Sequence, residues 1–152
     1  MEIKLGKYDL ELHSGPLAIL QHFTQFDKKS HESGGIILGK LFDSKIKILK
    51  LSVPTSLDRS SRANFERSKL SAQIVLDYEF FNSHGQLTYL GEWHTHPEPY
   101  PKPSRTDLKM LDAQYLNNSI GVDFVILIIK GTKGIYLRIK DLTGFTELEI
   151  DY

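Results

Sequence analysis

Four prolines at alternate positions, Pro97, Pro99, Pro101 and Pro103, impose a strand end, a stiff loop and a helix start on the middle of this chain. Each ring locks φ and removes a backbone donor, so neither a sheet ladder nor a helix can run through the segment. Proline also biases its predecessor away from helix, and the β-rich run over residues 87–95 therefore has to stop at His96-Pro97. The chain restarts at Ser104, a good N-cap. Leu108, Leu111, Tyr115 and Leu116 then recur at helical spacing to about residue 117.

The flanking segments read in the same way. Ile3 and Leu5, then Tyr8, Leu10 and Leu12, alternate with polar residues and predict an opening hairpin. Ser14 can cap a helix over residues 15–27, in which Leu17, Leu20, Phe23 and Phe26 fall three or four apart. Residues 35–42 and 46–53 predict a second hairpin with a short turn at Asp43, Ser44 and Lys45. Residues 54–67 show neither period and are expected to be a long functional loop. Leu70, Ile74, Val75, Tyr78 and Phe81 mark a helix over residues 68–83, stopped by Gly85. Strands are expected over residues 122–130, 134–140 and 145–150. With strands and helices interspersed, the class is α+β or mixed α/β, as one domain over residues 1–152.

Composition removes whole classes of function. Nineteen basic residues offset nineteen acidic ones, leaving no global field to hold nucleic acid or an anionic membrane. Cysteine is absent, which excludes disulfides, thiolate nucleophiles, iron–sulfur clusters and every sulfur-ligated zinc site, zinc deaminases included. The longest apolar run, residues 124–129, is far short of the ~18 residues that cross a bilayer. Glu2, Lys4 and Lys7 interrupt the first twelve residues, so no secretory signal is expected and the expected location is cytoplasmic.

Chemistry concentrates at the strand–loop–helix unit. On an extended strand His94 and His96 share a face, while Thr95 points the other way. The stiff loop returns Asp107 in the first turn of the next helix. Two histidines and a carboxylate are a known set for catalytic zinc with a fourth position left for water, whose pKa the ion lowers toward ~7. Ser104 and Asp107 also form a capping box, a purely structural role compatible with the first. His13, His22, His31 and His84 have no such context and are read as surface or core residues. The joint pattern His-x-His-Pro-x6-Ser-x2-Asp arises by chance on the order of 10⁻⁴ times or less per sequence.

These residues resemble the JAMM or MPN+ metallopeptidases, whose pattern is an upstream Glu followed by His-x-His-x7-Ser-x2-Asp. Every position is met. The upstream glutamate corresponds to Glu32 in Glu32-Ser33-Gly34-Gly35-Ile36-Ile37-Leu38-Gly39; the rival His-Glu-x-x-His reading of His31-Glu32 fails because Gly35 stands in place of the second histidine. The resemblance implies a cytidine-deaminase-like MPN/JAB domain with a curved mixed β-sheet flanked by helices. It further implies one catalytic Zn2+ on His94, His96 and Asp107, with Glu32 as general base and Ser104 as oxyanion stabiliser.

Asp58-Arg59-Ser60-Ser61-Arg62-Ala63-Asn64-Phe65 and Gly91-Glu92-Trp93-His94-Thr95-His96-Pro97-Glu98 extend the similarity to compact bacterial JAB peptidases found beside E1- and E2-like proteins in CBASS antiphage operons. Such peptidases cut the amide joining the C-terminus of a cGAS-like nucleotidyltransferase (CD-NTase) to its target. The resemblance thus implies a protein substrate with an extended C-terminal tail, a CD-NTase conjugate, with E1- and E2-like partners and no nucleic acid or membrane. Arg59 and Arg62 are expected to pair carboxylates of that tail, and Phe65 to supply an apolar contact. Three alternatives remain: a JAB peptidase trimming a ubiquitin-like or sulfur-carrier precursor, a non-catalytic MPN interaction module, and a binding module built on Arg59, Arg62, Arg67 and Lys69.

Overall fold

A computed structural model describes residues 1–117 and 122–152. The opening alternation forms β1 (Glu2–Leu5) and β2 (Tyr8–Leu12), an antiparallel pair turning at Gly6 with φ of +60°. β3 (Gly34–Phe42) and β4 (Lys45–Leu51) form the expected second hairpin. β7 (Thr88–Thr95), β8 (Phe124–Lys130), β9 (Gly134–Asp141) and β10 (Gly144–Asp151) complete a single eight-stranded sheet in the order β1-β2-β4-β3-β7-β8-β9-β10. The pairs β2·β4 and β7·β8 are parallel and the rest antiparallel, so the sheet is mixed. It curves until its two ends meet: Tyr8 Oη donates to Asp141 Oδ2 at 3.0 Å, and Lys7 pairs with the same carboxylate at 2.7 Å. No helix among the described residues is long and apolar enough to cross a membrane.

Among the described residues three helices flank the sheet, and α1 departs from expectation. α1 (Ser14–His22) ends five residues before Asp27 and is capped by the backbone of His13, with no side-chain bond from Ser14. It stops because the next polar groups are used elsewhere. Thr24 Oγ1 donates back to Leu20 O at 2.9 Å, while the Gln25 amide turns inward to bond Ser30 O, Arg62 O and Thr95 Oγ1. α2 (Lys69–Asn82) starts at Ser68, whose Oγ accepts from the Ser71 N–H at 3.2 Å. It packs on Ile36, Leu38 and Tyr89 through Ala72, Val75 and Leu76. Its longer apolar set points outward, with Leu70 65%, Ile74 58%, Tyr78 65% and Phe81 81% exposed. Residues 72, 75 and 76 lie at the helical spacing of one face, and once they dock the sheet the other stripe faces away. α3 (Arg105–Asn117) bridges the parallel pair β7 and β8, and Leu111 packs on Val125, Leu127 and Ile129.

A second correction concerns residues 54–67, expected to be a loop. They contain β5 (Arg59–Ser61) and β6 (Asn64–Glu66), an antiparallel hairpin forming a separate two-stranded sheet. Strands of three residues are too short to show a period.

One irregularity sets the direction in which the site residues face. Ile37 pairs with Gly91 and Leu38 with Tyr89, leaving Leu90 unpaired as a bulge. The extra residue shifts the alternation of β7. Leu90 and Trp93 therefore share the main core, while Tyr89 and Glu92 meet through a 2.9 Å hydrogen bond. Gly91 makes this possible: a Cβ there would stand 1.9 Å from the Ile126 carbonyl oxygen. Gly91→Ala is expected to lower the unfolding free energy by about 3 kcal/mol or more, measured by urea unfolding.

Candidate metal centre

β7 ends inside the sheet, and it brings His94, with His96 one residue past its last position, to one buried point facing α3. Their Nε2 atoms stand 3.2 Å apart. α3 supplies the third group. Ser104 and Asp107 form a reciprocal capping box, in which the Ser104 N–H donates to Asp107 Oδ2 at 2.6 Å and the Asp107 N–H donates to Ser104 Oγ at 3.1 Å. This box holds the Asp107 carboxylate with Oδ1 3.2 Å from His94 Nε2 and Oδ2 3.4 Å from His96 Nε2. The cap fixes the carboxylate without using it up, so both readings of the motif apply to the same geometry.

These three separations test whether an ion fits. Donors around a tetrahedral zinc with bonds of about 2.0–2.1 Å stand about 3.3 Å apart; the two Nε2 atoms meet this at 3.2 Å, and each has its own Asp107 oxygen near that distance, Oδ1 at 3.2 Å from His94 and Oδ2 at 3.4 Å from His96. Two buried imidazole nitrogens facing each other at this distance repel through their lone pairs unless a proton or a cation lies between them. The donor set therefore fits one metal ion, and the candidate ligand atoms all lie within 4.8 Å of one another.

Burial opposes ionisation of Asp107, but hydrogen bonds from His94 and His96 outweigh it and hold the carboxyl well below the usual carboxylate range. Burial likewise works against protonated His96, and its hydrogen bond to Asp107 reverses the balance and raises its pKa. Glu98 Oε2 lies 3.3 Å from His96 Nδ1, on the side of the ring away from the cluster.

Glu32 stands at the rim, with Oε1 3.9 Å from His96 Nε2. That is too long for a shared tetrahedral edge and close enough to reach a solvent molecule between them. Burial pushes its carboxyl up to about 7, with His96 opposing and Asp107 and Glu98 adding to the shift. Its backbone lies just before β3 and is held from outside the main sheet. The Glu32 N–H donates to Ser61 O at 2.8 Å, and Ser60 Oγ donates to Glu32 O at 2.5 Å.

A cavity of about 290 Å3 opens over the cluster, and Glu32, Phe65, His94, His96, Ser104 and Asp107 all reach it. The structure thus brings together six of the eight residues singled out from sequence. Arg59 and Arg62 are exposed on the β5–β6 hairpin and do not line the cavity. Arg67 does, and its guanidinium is committed: Nε and Nη2 bond Glu92 Oε2 and Oε1 at 2.8 and 2.7 Å. Sequence reading missed this pair and the Gln25 bonds. Only Glu92 left a local trace, sharing the alternation of His94 and His96. Ser104→Ala is expected to cost about 1 kcal/mol through loss of the cap, read from urea unfolding, and Ser104→Gly only a few tenths.

The sequence matches the family model for prokaryotic homologs of the JAB domain over residues 18–140. It is 33% identical over 121 residues to the CD-NTase/cGAS isopeptidase of Escherichia coli (strain TW11681), an alignment covering 80% of this chain and 75% of that protein. To the protein of the same name from Vibrio cholerae it is 31% identical over 133 residues, covering 86% of this chain and 83% of that one. The solution structure of protein DSY2949 from Desulfitobacterium hafniense shares the fold, with a TM-score of 0.60 at 15% identity over 91% of this chain and 89% of that chain.

Proposed function

The chain belongs to the prokaryotic homologs of the JAB domain, and on that footing we propose that it is a zinc-dependent isopeptidase that hydrolyses the amide at the C-terminal tail of a CD-NTase conjugate, reversing conjugation in antiphage defence. The observation that carries this reading is the convergence of His94, His96 and Asp107: the two Nε2 atoms stand 3.2 Å apart, with Asp107 Oδ1 3.2 Å from His94 Nε2 and Oδ2 3.4 Å from His96 Nε2. The names of the two relatives support the substrate class.

His94, His96 and Asp107 would hold the ion, two neutral imidazoles and one carboxylate being a zinc-suited set. Bound there, zinc supplies Lewis acidity and makes water acidic enough to attack near neutral pH. Glu32 takes the proton from the attacking water and returns it to the leaving amine, a task suited to a shielded carboxyl that stands beside the candidate ligands without belonging to them. Ser104 Oγ already accepts the Asp107 N–H, so its own proton is free to donate to the carbonyl oxygen as negative charge develops there. The scissile bond has to reach a cluster set between a strand end and a helix start, which suits an extended tail rather than a folded surface.

The test is cleavage of a fusion bearing a CD-NTase C-terminal tail, read by mass spectrometry, with zinc-loaded and chelator-treated protein. Release of the intact tail by the loaded form, its loss on chelation and its return on adding zinc are expected. Cleavage that survives complete metal removal overturns the reading.

A further inference from the structure

The β5–β6 hairpin does not present its arginines to the cavity. Instead it grips the residue proposed above as the base. Glu32 precedes β3 and has no ladder partner in the main sheet, and its backbone N–H and C=O are both satisfied by Ser61 and Ser60 of β5. Gln25 reinforces the grip by bonding Arg62 O in the hairpin turn and Thr95 Oγ1 on β7. Thr95 Oγ1 in turn accepts from the Ser33 N–H at 3.0 Å. Where Glu32 sits therefore depends on where the hairpin sits.

A two-stranded hairpin of three-residue strands does not hold itself in place. Beyond its bonds to Glu32 and Gln25, two side-chain contacts anchor this one. The Phe65 ring lies on the bare backbone of Gly34, so close that a Cβ there would stand 2.6 Å from a ring carbon. Arg67, directly after β6, forms its bidentate pair with Glu92, which is 3% exposed and also accepts from Tyr89 Oη at 2.9 Å. Glu92 lies two residues before His94 on the same strand. Buried ion pairs contribute little net stability relative to apolar residues of the same volume; their best-attested use is to fix register. Here the elements kept in register are the hairpin that holds Glu32 and the strand that carries the candidate ligands.

We propose that Arg67 and Glu92 are positioning residues for the reaction: their ion pair locks the β5–β6 hairpin, and through it Glu32, to the strand carrying His94 and His96. This rests on the reading of Glu32 as the base.

The test compares wild type, Glu32→Gln and the double variant Arg67→Met/Glu92→Met, which removes both charges and leaves neither one buried alone. Four quantities are read: kcat and KM on the tail fusion, zinc per chain, and amide hydrogen exchange. The double variant is expected to keep one zinc per chain and a KM within about twofold of wild type, to lose at least tenfold in kcat, and to exchange faster at Glu32 and residues 59–66 but not in α3. A folded double variant with wild-type kcat overturns the proposal, as does one whose KM rises while kcat holds, which would make Arg67 a substrate contact. Loss of turnover in Glu32→Gln beside an unchanged double variant overturns the positioning role alone. Full turnover in Glu32→Gln overturns the base assignment and the positioning role with it.

Discussion

Glu32→Gln is expected to lower turnover of a tail fusion by about 10²–10⁴-fold, the usual contribution of a general base, while zinc stays at one per chain. The substitution keeps the volume and backbone bonds of Glu32 and removes only the capacity to accept and return a proton. Its position makes the outcome specific. At 3.9 Å from His96 Nε2 the carboxylate stands outside the group of His94, His96 and Asp107, so zinc affinity should not follow turnover down. Because the change acts on the chemical step, the loss belongs in kcat, with KM nearly constant. Loss of zinc together with turnover would instead make Glu32 a ligand.

Removal of a ligand should affect metal binding and turnover together. His94→Ala leaves two donors where three stood. Structural zinc sites with four donors bind with about 10–16 kcal/mol, so each donor is worth about 3 kcal/mol, and a loss of roughly 10²-fold or more in zinc affinity is expected. Zinc at 100 times its Kd stabilises wild type by about 2.7 kcal/mol, and the thermal shift that reports this should shrink sharply in His94→Ala. Asp107→Ala should lose zinc to a similar degree and another ~1 kcal/mol of stability without metal, because the same carboxylate caps α3. The difference between these two metal-free proteins separates the cap from the ligand, and equal stabilities would contradict the double role of Asp107.

The group of His94, His96 and Asp107 was legible because its parts are local. Alternation along one strand aligns His94 with His96, the prolines end that strand, and the Ser104–Asp107 box starts the next helix, all within fourteen residues. Glu32 lies 62 residues from His94 and carries no local signal of its role; it entered through the family resemblance. Hairpins β1–β2 and β3–β4 were readable from alternation and turn residues, whereas the parallel pairings β2·β4 and β7·β8 depend on contacts between distant segments. The outward stripe of α2 shows why periodicity finds a helix without saying which face docks. Leu70, Ile74, Tyr78 and Phe81 have the more obvious spacing, yet Ala72, Val75 and Leu76 meet the sheet. Arg67 looked like one of several loop cations because its partner Glu92 is 25 residues away. The hairpin that joins them is too short to mark itself by period.

The most direct measurement is anomalous diffraction at the zinc edge from crystals of the zinc-loaded chain. A single peak is expected about 2.0–2.2 Å from His94 Nε2, His96 Nε2 and one Asp107 carboxylate oxygen, with Glu32 outside bonding distance. A folded, zinc-replete crystal with no peak among those three side chains, or with zinc bound elsewhere in the chain, would contradict it.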